Sequence, residues 1–419
     1  MNAEIWGSAF WAWREIIKAK EDWLQILDLS EKLPGQRVVY AGIANLISNK
    51  LFTGEVKSDE VIITRAAVLM EKAWDICSRV EEAPDDSFRD WLTSAINHEG
   101  GWIAEFWVHY CSYLRHKPGA DWNGIPAELK FRIRDALKGK TRVKVYGRIA
   151  ITRWMGYFFA WDKNFAAENF LPLLDWQRDV IVAQQTWSVL LNYRQGAFAE
   201  MEQLMMPYYQ QFALMLKDAT EKTEQFDDQT LSHLGHYLAG LAIWIVPNPI
   251  RDGFFRDFLP PLPETVRAAM AQGIGHFLEA CKVDKIEQIW NTWLKEYLDL
   301  RLVGVPVALS TQEANAMVHW CLYLGNHFPE GVERIVQMQF RGIHGLTIIH
   351  KLFEPRFIEY LDKFPKESCR YVVSVLKAED FLFLDDKHSQ LHAKLKTVIA
   401  GPPELKEFEK VLYLRGWKK

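Results

Sequence analysis

The residues best suited to chemistry in this chain are cations. Lys130, Arg132, Arg134, Lys138, Lys140, Arg142, Lys144, Arg148 and Arg153 face a single acid, Asp135, within 24 residues. Such a density can hold phosphates, in nucleic acid or in a nucleotide, or an acidic protein surface. The competing reading is a solvated helix face that offsets acids elsewhere. Only Phe131 and Tyr146 are interleaved with the cations, which is thin for a platform that stacks single-stranded bases. Gly139-Lys140-Thr141 has the ending of a phosphate-binding loop. Arg134, however, stands where the first glycine of that loop belongs, and no hydrophobic strand precedes it. That motif is rejected.

Histidine pairs are the next candidates. His388 and His392 lie four apart beside Asp385 and Asp386, His233 and His236 lie three apart, and His109 and His116 flank Cys111. Zinc requires three or four converging donors, and none of these groups shows a full set at ligand spacing. Adjacent aspartates on a helix point in different directions, so Asp385-Asp386 implies no acid–base pair. Cys77, Cys111, Cys281, Cys321 and Cys369 are widely spaced and contain no CxxC pair. They read as small buried hydrophobes in a reducing compartment. Neither GxGxxG, GxSxG nor HExxH occurs. No catalytic residue, cofactor or metal is assigned. An active site assembled across helices remains one alternative, because sequence does not display convergence in space.

The elements that would position any such residue are helices. After Asp284, the apolar residues Ile286, Ile289, Trp290, Trp293, Leu294, Tyr297 and Leu300 form one stripe. Val266, Met270, Ile274, Phe277 and Cys281 form another, as do Met201, Leu204, Tyr208, Phe212 and Met215, with a kink expected at Pro207. Asp284 with Glu287 and Ser310 with Glu313 resemble capping boxes. Turns are expected at Leu33-Pro34-Gly35, Ala83-Pro84, Gly100-Gly101, Lys117-Pro118-Gly119, Pro247-Asn248-Pro249 and Gly401-Pro402-Pro403. About sixteen to nineteen helices, mostly of 10–22 residues, follow from this punctuation. Short loops make consecutive helices antiparallel, so the chain should zigzag as hairpins. Residues 142–151 alternate partly like a strand but read as helix, whereas residues 302–307 read as loop, and 218–230 as an exposed polar loop.

A weak repeat supports stacking of those hairpins. Phe170-Leu171-Pro172-Leu173-Leu174 and Phe258-Leu259-Pro260-Pro261-Leu262 lie 88 residues apart and each precedes an expected helix; Pro126 lies 46 residues before Pro172. These offsets suit two-helix units of HEAT or armadillo size. The expected fold is all-α, with antiparallel hairpins stacked as an irregular HEAT-like α-solenoid. A Trp-rich part, 1–245, and a C-terminal part, 246–419, form one continuous array with a soft boundary.

Bulk properties agree. At 419 residues the chain exceeds one compact core, and 49% hydrophobic with 25% charged residues is ordinary for a folded protein. A net charge of −4 argues against wholesale binding to nucleic acid. The first residues lack the pattern of a signal peptide, and the longest apolar run, Leu238–Val246, is too short to span a bilayer. A cytoplasmic location without membrane association is expected. Of 18 tryptophans, 13 lie at or before Trp187; most should be buried between helices, with some left to line a groove.

Three features carry a family resemblance: the aromatic opening Trp6-Gly7-Ser8-Ala9-Phe10-Trp11-Ala12-Trp13, the helix start Leu33-Pro34-Gly35-Gln36-Arg37, and the turn Asp252-Gly253-Phe254-Phe255-Arg256-Asp257-Phe258. With the Trp-punctuated helices between them, roughly the first 330 residues resemble the helical region that follows sirtuin-like NAD-consuming domains in bacterial anti-phage defence proteins. The resemblance is one of texture and transfers no catalytic residue. It implies a region that recognises phage components or holds an assembly together. The expectation is a non-catalytic scaffold or sensor that binds a protein partner. The alternative is a nucleic-acid or nucleotide-phosphate binder using Lys130, Arg132, Arg134, Lys138, Lys140, Arg142, Lys144 and Arg148.

Overall fold

A computed structural model describes residues 3–14, 16–17, 19–33, 35–54, 56–57, 59–80, 82, 90–119, 121–193, 198–217, 226–338, 340, 351–352, 354–378, 393, 397 and 402–414. Among these, every regular element is helical and no strand occurs. The chain divides into two compact units, Met1–Gln211 and Phe212–Lys419. The expected turn at Ala83-Pro84 and most of the polar loop lie outside the described residues, as do His388, His392, Asp385 and Asp386.

The first unit contains α1 (Ala3–Trp13), α2 (Lys20–Lys32), α3 (Arg37–Lys50), α4 (Glu60–Cys77), α5 (Trp91–Ile96), α6 (Glu99–His116), α7 (Ala127–Lys138), α8 (Arg142–Thr152), α9 (Met155–Trp161), α10 (Lys163–Asn169), α11 (Val180–Tyr193) and the start of α12 (Ala199–Lys217). Short connections turn successive helices back on one another: Tyr40 on α3 meets Lys72 near the end of α4. Helices that pack side by side within a layer then point the same way. Arg37 and Phe52, at the two ends of α3, meet Glu99 and Phe106 in that order along α6. Gly100 of α6 lies against Val143 of α8, and Glu105 reaches Arg153 just past α8. The intervening helices repeat the arrangement. Lys20 and Asp28 flank α4 at Asp59 and Arg65, Glu71 and Trp74 of α4 meet Arg132 and Asp135 of α7, and Lys130 and Arg134 of α7 meet Asp162 and Phe165 at α10. Two layers of parallel helices result, with a core of large aromatics such as Trp23, Trp74, Trp107 and Trp187 between them.

The second unit contains α13 (Asp228–Gly240), α14 (Phe254–Phe258), α15 (Glu264–Ala280), α16 (Val283–Ile289), α17 (Lys295–Leu302), α18 (Thr311–Met317), α19 (Phe328–Ile335), α20 (Pro355–Lys363), α21 (Pro365–Ala378) and α22 (Pro402–Leu414). Here too the helices that pack side by side within a layer are parallel. Gly235 and Gly240 of α13 abut Val266 and Phe277 of α15, so close that a Cβ at Gly235 would stand 2.6 Å from the Val266 carbonyl oxygen. Arg267 and Ala271 of α15 bond Glu313 and Trp320 at and beyond α18. In the other layer, Glu287, Lys295 and Asp299 pair with His327, Glu330 and Arg334 in register.

Several local expectations need correction. The helix at 142–152 and the loop after Leu302 form as expected, and Ser310 with Glu313 makes its capping box. Asp284 makes none, because α16 already begins at Val283. A π-helical segment, Trp290–Leu294, joins α16 to α17. Its wider turn inserts one residue and moves the buried stripe onto Leu298 and Arg301, away from half-buried Leu300. On α12 the buried face is Met201, Met205, Tyr209, Phe212 and Leu216, while Leu204 is exposed. Pro207 lies within that single helix. Several helices have only five to eight residues, shorter than punctuation suggested. Pro126 precedes α7, in the layer opposite to α11, so it does not belong to the same repeat phase as Pro172.

Candidate functional site

Folding uses most of the basic run internally. Lys130 pairs with Asp162 at 2.7 Å, Arg132 with Asp75 at 2.5 Å and Glu71 at 3.2 Å, and Lys144 with Asp135 at 2.7 Å. Arg153 holds Glu105, whose carboxyl is nonetheless pushed up by burial. Arg142 lies 3.9 Å from Glu82 and over the Tyr146 ring. Arg148 is buried, donating to the Gln185 side chain at 2.8 Å and the Gly139 carbonyl at 3.2 Å, and burial lowers its pKa to about 10. Only Arg134, Lys138 and Lys140 of the run stay exposed with no acidic partner among the described residues. Arg134 lies over the Phe165 ring. Apart from Asp135, the acids that neutralise the run come from outside it, from α4, Glu82, α6 and the turn before α10, which is why sequence spacing overstated its charge.

The described histidines likewise serve the fold. His98 caps α6 by accepting from the Gly100 N–H, and His116 and His236 bond carbonyls one turn earlier. His109 packs between Phe52 and Trp154, and burial lowers its pKa. Among the described residues no three His, Cys, Asp or Glu side chains form a metal-holding group, and no helix is long and apolar enough to cross a membrane.

A different site emerges in the second unit. Parallel helices α13, α15 and α18 border a groove of about 670 Å³, lined along α15 by Thr265, Ala268, Ala269, Gln272, Gly275, His276 and Glu279. Asp228 and Ser232 flank it on one side, and Gln312, Asn315, Ala316 and His319 on the other. Small residues keep the floor low. At Gly275 a Cβ would come 3.0 Å from the Trp320 indole, which is itself anchored by its N–H to the Ala271 carbonyl at 3.0 Å. At one end, the Lys351 ammonium donates to the Tyr323 hydroxyl and lies 3.2 Å from the Glu279 carboxylate. Burial acts to lower the Lys351 pKa, but Tyr323 and Glu279 outweigh it and raise it. Beside them the His319 pKa is pushed down to about 4, by burial first and by the Lys351 charge second. Its Nδ1 is buried without a hydrogen-bond partner. At neutral pH His319 is therefore an uncharged imidazole.

Sequence reasoning followed the apolar stripe of α15 and passed over the opposite face. The signal was present: residues 265, 268, 269, 272, 275, 276 and 279 recur at helical spacing and are all small or polar. What sequence could not supply was that α13 and α18 run parallel on either side.

Comparison with protein-family models, curated proteins and solved structures returns no match.

Proposed function

We propose that the chain is a non-catalytic helical scaffold, its hairpins stacked as an irregular HEAT-like solenoid, that binds a protein partner in the α13–α15–α18 groove. Parallel neighbours within a layer of each unit support the solenoid reading, since stacked helical hairpins produce that arrangement. The observation that carries the binding role is the groove itself: a long recess with a low floor, bordered by hydrogen-bonding side chains. Its titratable groups are placed for binding. Asp228 begins α13 and Glu279 ends α15, which separates the two acids by roughly 20 Å of helical rise, and Glu279 is held by Lys351. Among the described lining residues, these two acids stand too far apart to act as a pair.

The test is a partner titration. Partners identified by proximity labelling in the native cells are measured against purified protein and against Ala268→Trp and Ala316→Trp, which fill the groove. Tenfold or greater loss of affinity with unchanged circular dichroism supports the reading; undiminished binding by both variants removes it. The resemblance to helical regions of anti-phage defence proteins suggests infected bacterial cells as the place to label, and a phage component or assembly partner as the catch.

A second reading keeps phosphate binding, because Arg134, Lys138 and Lys140 remain exposed. Three cations give a log–log salt slope of only about −3 on duplex DNA. A mobility shift that follows this shallow slope and disappears in the triple Glu variant would favour it.

A further inference from the structure

The groove's chemistry narrows its occupant, an inference that rests on the reading above. We propose that the occupant is an extended polypeptide segment, held through its backbone and carrying a basic side chain at the Asp228 end. From Thr265 to Glu279 the α15 face rises about 21 Å at 1.5 Å per residue. An extended chain covers that distance with about six residues.

Three observations favour an extended chain over a docked helix. The floor is Ala268, Ala269, Gly275 and Ala316. These residues let a backbone approach closely, but they offer no deep apolar pocket for the anchors spaced three and four apart that a helical ligand inserts. Gln272 and Gln312 stand exposed on the rims with no hydrogen-bond partner among the described residues. A carboxamide presents one acceptor and two donors, which matches the N–H and C=O of a peptide group. An extended ligand, unlike a helix, brings those groups unpaired and must find partners for them. His319 lines the other end as an uncharged imidazole, a polar group that adds no charge to the groove.

Charge sets the direction. Glu279 is committed to Lys351, whereas Asp228 is exposed with no cationic partner among the described residues. The uncompensated charge of the groove is thus one carboxylate at the start of α13, and its complement is a Lys or Arg. An exposed pair of this kind fixes register and selectivity more than affinity.

The experiment pans the full-length protein against random octapeptides, acetylated and amidated at their ends, and measures the best binder by fluorescence anisotropy. The proposal expects a fixed Lys or Arg at one position. It expects a Kd at least tenfold weaker for Gln272→Leu combined with Gln312→Leu, and the same loss on N-methylating one central peptide amide. Asp228→Asn should erase the preference for the basic residue while leaving an alanine-substituted peptide within twofold. Selected peptides with apolar residues three and four apart, which tighten when stapled as helices, overturn the extended-chain proposal; if Ala268→Trp blocks them, the groove itself stands. Peptides indifferent to Ala268→Trp and Ala316→Trp overturn both readings. Absence of any submillimolar peptide overturns the proposal alone, because the partner titration judges the groove independently.

Discussion

Glu313 is held on both oxygens in the second unit. Only 2% of it is exposed, and it accepts from Arg267 at 2.9 Å and from Arg301 at 2.7 Å. Arg301, itself fully buried, also donates to the Val305 and Val307 carbonyls. One carboxylate therefore ties α15, α17, the following loop and α18 together. Replacing it strands two guanidinium groups, one of them wholly out of water, so Glu313→Ala should cost about 3–5 kcal/mol in a denaturant titration. A milder Arg301→Met, Glu313→Leu pair should recover part of that loss, because it removes the fully buried cation together with the carboxylate and leaves only the slightly exposed Arg267 unpaired. His319 makes a pH prediction. Its folded pKa near 4 lies below the unfolded value of 6.5, so between these values the unfolded chain binds the extra proton. Stability is then full above pH 6.5 and falls as pH drops toward 4, by about 3 kcal/mol at most from this residue. Burial lowers the pKa of His98 and His109 as well, and they act in the same direction. His319→Gln should therefore reduce the slope of stability against pH in this window by about one proton without abolishing it.

Helix contacts depend on glycine at a few closely spaced crossings. A Cβ at Gly100 would fall 2.0 Å from the Val143 carbonyl oxygen, and one at Gly101 would fall 1.8 Å from that of Ala95. Both obstacles are backbone, so relief requires moving α8 or α5 away from α6. Gly100→Ala should destabilise by about 1–3 kcal/mol or more, well beyond a surface substitution, as read by the melting temperature. Gly101→Ala should do the same, whereas Gly119→Ala, with nothing within 4 Å, should lose only what its φ of +78° imposes. The pair Gly100-Gly101 reads as a turn from sequence because glycine is the usual breaker of helices. The fold instead places both inside α6. Close approach was the reason for them, and close approach is a property of the neighbour.

Burial across both units can be read through the thiols. Cys77, Cys111, Cys321 and Cys369 are buried, and burial pushes the first two up to about 12, while Cys281 is half-buried with Lys285 opposing the upward shift. A thiol reagent at pH 8 should modify Cys281 slowly in the native protein and all five cysteines in denaturant; rapid native reaction of a second thiol would contradict the packing described. The all-helical architecture was legible in the chain, because a 3.6-residue apolar rhythm and Pro/Gly breaks are local properties that each segment carries with it. Phase within a helix was legible only until a π segment intervened, as at Trp290–Leu294. The site was not legible. Lys130, Arg132 and Arg153 looked free because their acids, Asp162, Asp75 and Glu105, lie tens of residues away along the chain, and Gln272, Ala268 and Ala316 looked idle because no single helix contains a groove. Charge neutralisation and concavity both arise between helices that are distant in sequence, so only packing in three dimensions could decide them.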